Sequence, residues 1–155
     1  ATTGGWSFTP TDANWFGSDT FTVTVTDDEG GTTDQVVGVT LASVNDAPSI
    51  GGISSGVVTE DADPDSNSLL ETTGSLTISD PDSGESSFIA ETINGIYGDL
   101  SITHSGVWHY AADNTNTAIQ ALNSNESLTE TITVTTFDGI TQSLNIQGVK
   151  LISLN

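Results

Sequence analysis

Residues 21–26 read Phe-Thr-Val-Thr-Val-Thr, and this strict period of two constrains the fold more than any other feature. Successive side chains of a strand point to opposite faces, so one row enters a core and the threonine row meets water. The alternation recurs in Leu76-Thr-Ile78, Leu100-Ser-Ile102 and Ile132-Thr-Val134. Turn signals divide the alternating segments at short intervals: Gly4-Gly5, Asp28-Glu-Gly-Gly31, Asn94-Gly95, Ser105-Gly106 and Asp138-Gly139. One stretch breaks the pattern. Thr117-Ala-Ile-Gln-Ala-Leu122 carries apolar residues at helical spacing and predicts a helical turn or two covering one end of the fold. Many short strands with frequent turns predict an all-β chain folded as an Ig-like, Greek-key β-sandwich.

Charge narrows what such a sandwich does. The 155 residues hold 21 Asp plus Glu against one basic side chain, Lys150, for a net charge of -20. Nucleic acids and anionic membranes need clustered Lys or Arg to replace counterions, so neither is an expected partner. The chain is not a disordered acidic tail, because 34% of it is hydrophobic and three Trp are present. Absence of Cys removes disulfides, thiolate zinc sites, iron–sulfur clusters and cysteine nucleophiles together. No apolar run approaches the ~20 residues of a membrane span, and no signal peptide opens the chain. The missing initiator Met predicts a piece processed or excised from a longer product.

Catalytic signatures are lacking as well. No Gly-x-Ser-x-Gly elbow occurs, and neither His104 nor His109 has an evident Asp to orient it. The two His are five apart across a turn, with no Cys to complete a zinc site. They read as a turn residue and a solvent-facing strand residue. No enzyme is expected.

A weak internal repeat sets the domain organisation. Thr3-Gly-Gly-Trp6-Ser-Phe8 resembles Ser105-Gly-Val-Trp108-His-Tyr110, and Phe21–Asp27 resembles Ile132–Asp138. The spacing of the two Trp is close to one Ig-like domain length. Each Trp and the aromatic residue two positions on form a same-face pair predicted to enter a core. Val44-Asn-Asp-Ala-Pro48 is the linker, which gives residues 1–47 as a partial unit and 48–155 as a complete one. Residues 1–47 supply about three of seven strands, leaving open edges and half a core. Either an upstream part has been removed, or strands from another chain complete the unit.

Residues 57–149 resemble the VCBS repeat of large bacterial surface proteins. The matching stretches are Val58-Thr-Glu-Asp61, Gly74–Glu85, Tyr97–Ile102, Gly106–Tyr110, Ile119–Leu122 and Glu126–Val134. Residues 6–48 resemble the second half of a bacterial cadherin-like repeat through Phe8-Thr-Pro10, Phe16-Gly-Ser-Asp19, the Phe21 strand and Val44–Pro48. The second unit departs from an array pattern by ending Gly148-Val-Lys-Leu-Ile-Ser-Leu-Asn155, with no second Asn-Asp-Ala-Pro. The resemblance implies a secreted, extracellular module of a tandem-repeat adhesin or matrix protein, with no catalytic activity.

Carboxylates gather where such a sandwich brings its loops together. With one strand near 75–79 and another near 131–137, Asp80-Pro-Asp82-Ser-Gly-Glu85 and Asp138-Gly139 share the end at which the chain enters. Asn45 and Asp46 of the linker are expected there, and Asp12 and Asp19 from the exit end of the first unit. Oxygen donors converging from separate segments suit a hard cation wanting six to eight of them, so calcium is the expected cofactor. A second acidic run, Glu60, Asp61, Asp63 and Asp65, is expected at the opposite end as another calcium site, with Glu60 and Asp61 its leading ligands. Asp27 and Asp28 form a further candidate in the first unit.

The expected role is thus a calcium-rigidified structural module that contacts neighbouring repeats or identical subunits. Two alternatives stand beside it. One is a filament subunit whose residues 1–47 are completed by a neighbour's strands. The other is a sandwich that contacts cell-surface or matrix glycans through Trp15, should that ring prove exposed.

Overall fold

The computed structural model describes residues 4–62 and 66–150. The chain forms two compact units, Ala1–Asn45 and Asp46–Asn155. In the first, β1 (Gly17–Thr26) and β2 (Thr32–Leu41) form an antiparallel hairpin with Phe21 opposite Val37 and Thr22 opposite Val36. Asp27 closes the turn: its Oδ1 accepts the N–H groups of Glu29 and Gly31, and Gly30 takes φ +85°. Among the described residues this unit has two strands, not three, because the Trp6–Phe8 stretch joins no ladder. Trp6 meets the Phe21 ring edge-on at 5.4 Å and stays 59% exposed, so the expected core position is not realised. The physical reason is that a hairpin is a single layer, and burial needs two.

The second unit is the sandwich. Its elements are β3 (Ser49–Gly52), β4 (Ser55–Thr59), β5 (Leu69–Ser79), β6 (Glu91–Asn94), β7 (Gly98–Ile102), β8 (Val107–Asp113), α1 (Thr117–Gln120), β9 (Ser127–Thr135) and β10 (Thr141–Val149). One sheet runs β3-β5-β8-β7-β6 and the other β4-β10-β9. All pairings are antiparallel except β4 with β10. The chain changes sheets between β3 and β4 at Gly52, whose φ is +91°. A Cβ there would lie 2.5 Å from the Ser75 carbonyl oxygen, so only glycine allows the crossing.

Alternation fills the space between the sheets. Trp108, Tyr110 and Ala112 point inward from β8, Ile132 and Val134 from β9, and Leu144 and Ile146 from β10. Full burial of each large apolar side chain contributes about 1.5–3 kcal/mol. Trp108 sits over Gly74, its register partner on β5, and its Nε1 donates to the Ile53 carbonyl at 2.8 Å. The helical turn forms where the apolar spacing predicts it. Asn116 caps α1 by accepting the Ala118 N–H, and Ile119 and Leu122 are buried.

Candidate metal centre

The acidic loop 80–85 is built by short-range hydrogen bonds that its residue types favour. Asp80 Oδ1 accepts the Asp82 N–H at 2.8 Å, closing an Asx turn at the end of β5. The Asp80 N–H donates to Ser86 Oγ at 2.8 Å, and Gly84 supplies the positive φ of +90° that turns the chain back. Beyond the loop, Phe88 is buried and bridges to Thr136, just past β9. The Phe137 N–H donates to the Ser87 carbonyl and the Ile89 N–H to the Thr135 carbonyl, each at 2.9 Å. This short ladder fixes the loop beside the β9–β10 turn, where Gly139 has φ +80° and Asp138 occupies the tip.

Consequently Asp80, Glu85 and Asp138 each present a carboxylate oxygen, and the three oxygens lie within 4.8 Å of one another. Glu85 shares a hydrogen bond with Asp138. That bond, partial desolvation and the charges of Asp138, Asp82 and Asp80 push the Glu85 carboxyl up to about 6. Asp80 Oδ2 is shut off from solvent and accepts no hydrogen bond. Asp82 turns its Oδ2 to the Asp46 N–H at 2.7 Å, which ties the linker to the loop.

Basic side chains are engaged elsewhere. Lys150 is on Glu60, His109 on Glu71 at 3.0 Å, and His104 Nδ1 lies 2.9 Å from the Phe88 carbonyl. The cluster is therefore an all-oxygen, multiply anionic donor set, and one of its residues, Asp80, carries a buried oxygen without a hydrogen bond. Those are the donor properties a hard divalent cation requires.

A family model for the bacterial cadherin-like domain matches residues 45–150. The chain belongs to this family. A second model, for a bacterial Ig domain, matches residues 1–40. No curated protein matches the chain. Domains of these two kinds are typically non-catalytic modules of extracellular surface proteins, and cadherin-like domains generally bind calcium. The cadherin-like match thus falls on the complete sandwich rather than on residues 6–48, where the sequence motifs place that resemblance, and the Ig-domain match falls on the first unit. No helix among the described residues is long and apolar enough to cross a membrane.

The remaining expected ligands have varied placements. In the first unit, Asp12 Oδ1 accepts the Asn14 N–H, Asp19 Oδ1 accepts the Thr20 N–H, and Asp27 holds its own turn while Asp28 is exposed. Asn45 is exposed at the end of that unit. Trp15 is half-buried against Phe8, with ring centroids 5.7 Å apart, and lines a cavity of about 250 Å³ with Pro10 and Asp19. In the cadherin-like unit, Glu60 is 2% exposed and both its oxygens lie on Lys150 Nζ, at 2.7 and 3.0 Å. Asp61 is exposed beside Asn114 and Gln120. Asp63 and Asp65 lie outside the described residues.

Sequence reasoning missed Glu130. It is 5% exposed on β9, accepts the Tyr110 hydroxyl at 2.7 Å, and takes the N–H groups of Ile96 and Tyr97 on its other oxygen. Burial and this acceptor push the Tyr110 phenol far up. Glycine at 95 and 98 makes room, because a Cβ on Gly95 would meet Glu130 Oε1 at 2.3 Å and one on Gly98 the Ala111 carbonyl oxygen at 2.4 Å. The available signal was that Glu130 falls in phase with Leu128, Ile132 and Val134.

Proposed function

We propose that Asp80, Glu85 and Asp138, with Asp82 alongside, hold calcium in the cadherin-like unit of an extracellular, non-catalytic adhesive module. The observation that carries this reading is three converging carboxylates, one with a buried unsatisfied oxygen, in a chain whose lysine is committed to Glu60. The VCBS-like motifs support the same setting, a repeat in a large surface protein whose partners are neighbouring modules or identical subunits. The residues of this chain orient the donors. The Asx turn fixes Asp80, the Phe88–Thr136 bridge sets Glu85 against Asp138, and the Asp82–Asp46 bond holds the linker. A bound ion would offset the repulsion among them and stiffen the linker end of the sandwich.

Extracellular calcium sites work in the range of about 10⁻⁴–10⁻³ M. At a hundredfold excess over Kd, an ion that binds only the folded form adds about 2.7 kcal/mol. For a unit of this size that raises the melting temperature by about 10 °C. The test compares thermal unfolding in chelator with unfolding in calcium, for the natural chain and for Asp138→Asn. The expected result is a calcium-dependent rise that Asp138→Asn largely removes. A melting temperature unmoved by both chelator and calcium would overturn the assignment.

A further inference from the structure

We infer that the cadherin-like unit supplies its own cation at the Glu60 end, where the Lys150 ammonium does for one buried carboxylate what calcium is proposed to do for the opposite cluster. The contrast rests on the calcium reading; the assignment of Lys150 does not. Glu60 follows β4 and Lys150 follows β10, the two strands paired in parallel with Thr59 beside Val149. The Glu60 N–H donates to the Val149 carbonyl at 2.8 Å, which carries the ladder one residue beyond β4. Glu60 is 2% exposed, whereas the Lys150 side chain keeps a third of its surface in water. This is a buried anion gripped through both oxygens by a cation reaching in from the rim. A carboxylate so placed is costly unless paired, and the sequence holds one Lys and no Arg to pair it with.

The two acidic groups of the unit thereby differ in kind. Asp80, Glu85 and Asp138 come from two turns and face one another, so a single monovalent ammonium balances little of their charge. Among the described residues of its end, Glu60 is buried singly, and one ammonium balances its charge. The exposed Asp61 lies against neutral donors, its N–H on Asn114 Oδ1 and its carboxylate near Gln120 Nε2. The pairing of β4 with β10 therefore closes without metal, and removal of calcium loosens one group of loops while leaving the other end intact.

Amide hydrogen exchange on the full chain separates these statements. The Glu60 amide reports the lysine-closed end, and the Phe137 and Ile89 amides report the loop that carries the carboxylates. The expected result is Glu60 protection that is equal in chelator and in calcium, while Phe137 and Ile89 exchange about tenfold faster in chelator. Lys150→Gln should cost Glu60 at least about tenfold in protection in either medium, Lys150→Arg should keep most of it, and Glu60→Gln with Lys150→Gln should recover it. Glu60 protection that requires calcium in the natural chain would overturn the inference, as would a Lys150→Gln variant with undiminished protection. If Lys150→Gln fails to fold, the arginine and double variants still decide. Failure of the calcium reading has a separate signature: Phe137 and Ile89 would be indifferent to calcium, whatever Glu60 does.

Discussion

Glu85 predicts a pH response of the metal-free protein that excess calcium abolishes. Its carboxyl is pushed from an ordinary 4.5 to about 6, first by the hydrogen bond shared with Asp138 and then by desolvation and the neighbouring acidic charges. A carboxyl that holds its proton more tightly in the folded state adds stability below pH 4.5 and loses that contribution as pH rises through about 6. In chelator, the melting temperature should therefore fall between pH 5 and 7. Calcium binding must displace that proton. With a value near 6, Glu85 is about nine-tenths protonated at pH 5 and about one-tenth at pH 7, so calcium affinity should be about tenfold weaker at pH 5. In calcium at a hundredfold excess over Kd, the melting temperature should stay nearly level across the same window.

Calorimetric calcium titration at pH 5, 6 and 7 measures the affinity ratio, and repeating pH 6 in buffers of different ionisation enthalpy measures the proton released, about half per ion. Glu85→Gln removes the titrating group, so the difference between the natural chain and this variant isolates it. Asp113 and Glu126 do not confuse the window. Asp113 is lowered by the hydroxyl and N–H of Thr115, and Glu126 by the N–H groups of Asn123. Their contributions disappear only as pH falls through their depressed values, well below pH 5. Equal calcium affinities at pH 5 and 7 would refute the reasoning, as would a chelator profile that Glu85→Gln leaves unchanged.

Two further predictions concern the sandwich itself. Glu130→Gln keeps the shape but removes the charge and replaces one acceptor by an N–H₂ group, so either the Tyr110 hydroxyl or the Ile96 and Tyr97 N–H groups lose their acceptor. Urea unfolding should show a loss of about 1.5–3 kcal/mol, larger than that of Tyr110→Phe, and the reverse order would be inconsistent with Glu130 as the hub. Gly74→Ala places a Cβ 2.4 Å from Trp108 Cζ2 and should destabilise the cadherin-like unit by about 1–3 kcal/mol with a change in Trp fluorescence. Gly38→Ala, where a Cβ meets nothing within 4 Å, should leave that unit's melting unchanged.

What was legible in the sequence follows from what a period of two encodes. Alternation assigns each residue to a face, and turn residues mark where strands end. The sandwich, the helical turn at Thr117 and the approach of loop 80–85 to Asp138 all follow from those two signals, because a sandwich brings the ends of neighbouring strands together. Alternation says nothing about which strands pair, or whether a second layer is present. Trp6 and Phe8 share a face by spacing, yet Trp6 stays exposed because the described part of its unit has one layer. Glu60 reads as a loop acid when acidic composition is weighed, although it continues the inward row of Gly56 and Val58. Lys150 likewise continues the row of Leu144, Ile146 and Gly148. These two charges lie 90 positions apart and meet only through the parallel pairing of β4 with β10. An acid in phase with an apolar row must find a donor inside the fold, and Glu60 and Glu130 answer that demand in two ways. One takes an ammonium from the far end of the chain; the other takes a phenol and two main-chain N–H groups. The acids that fall out of phase, at Asp80, Glu85 and Asp138, come instead from two turns that bring their carboxylate oxygens within 4.8 Å of one another, and these are the ones we propose a cation from solution holds.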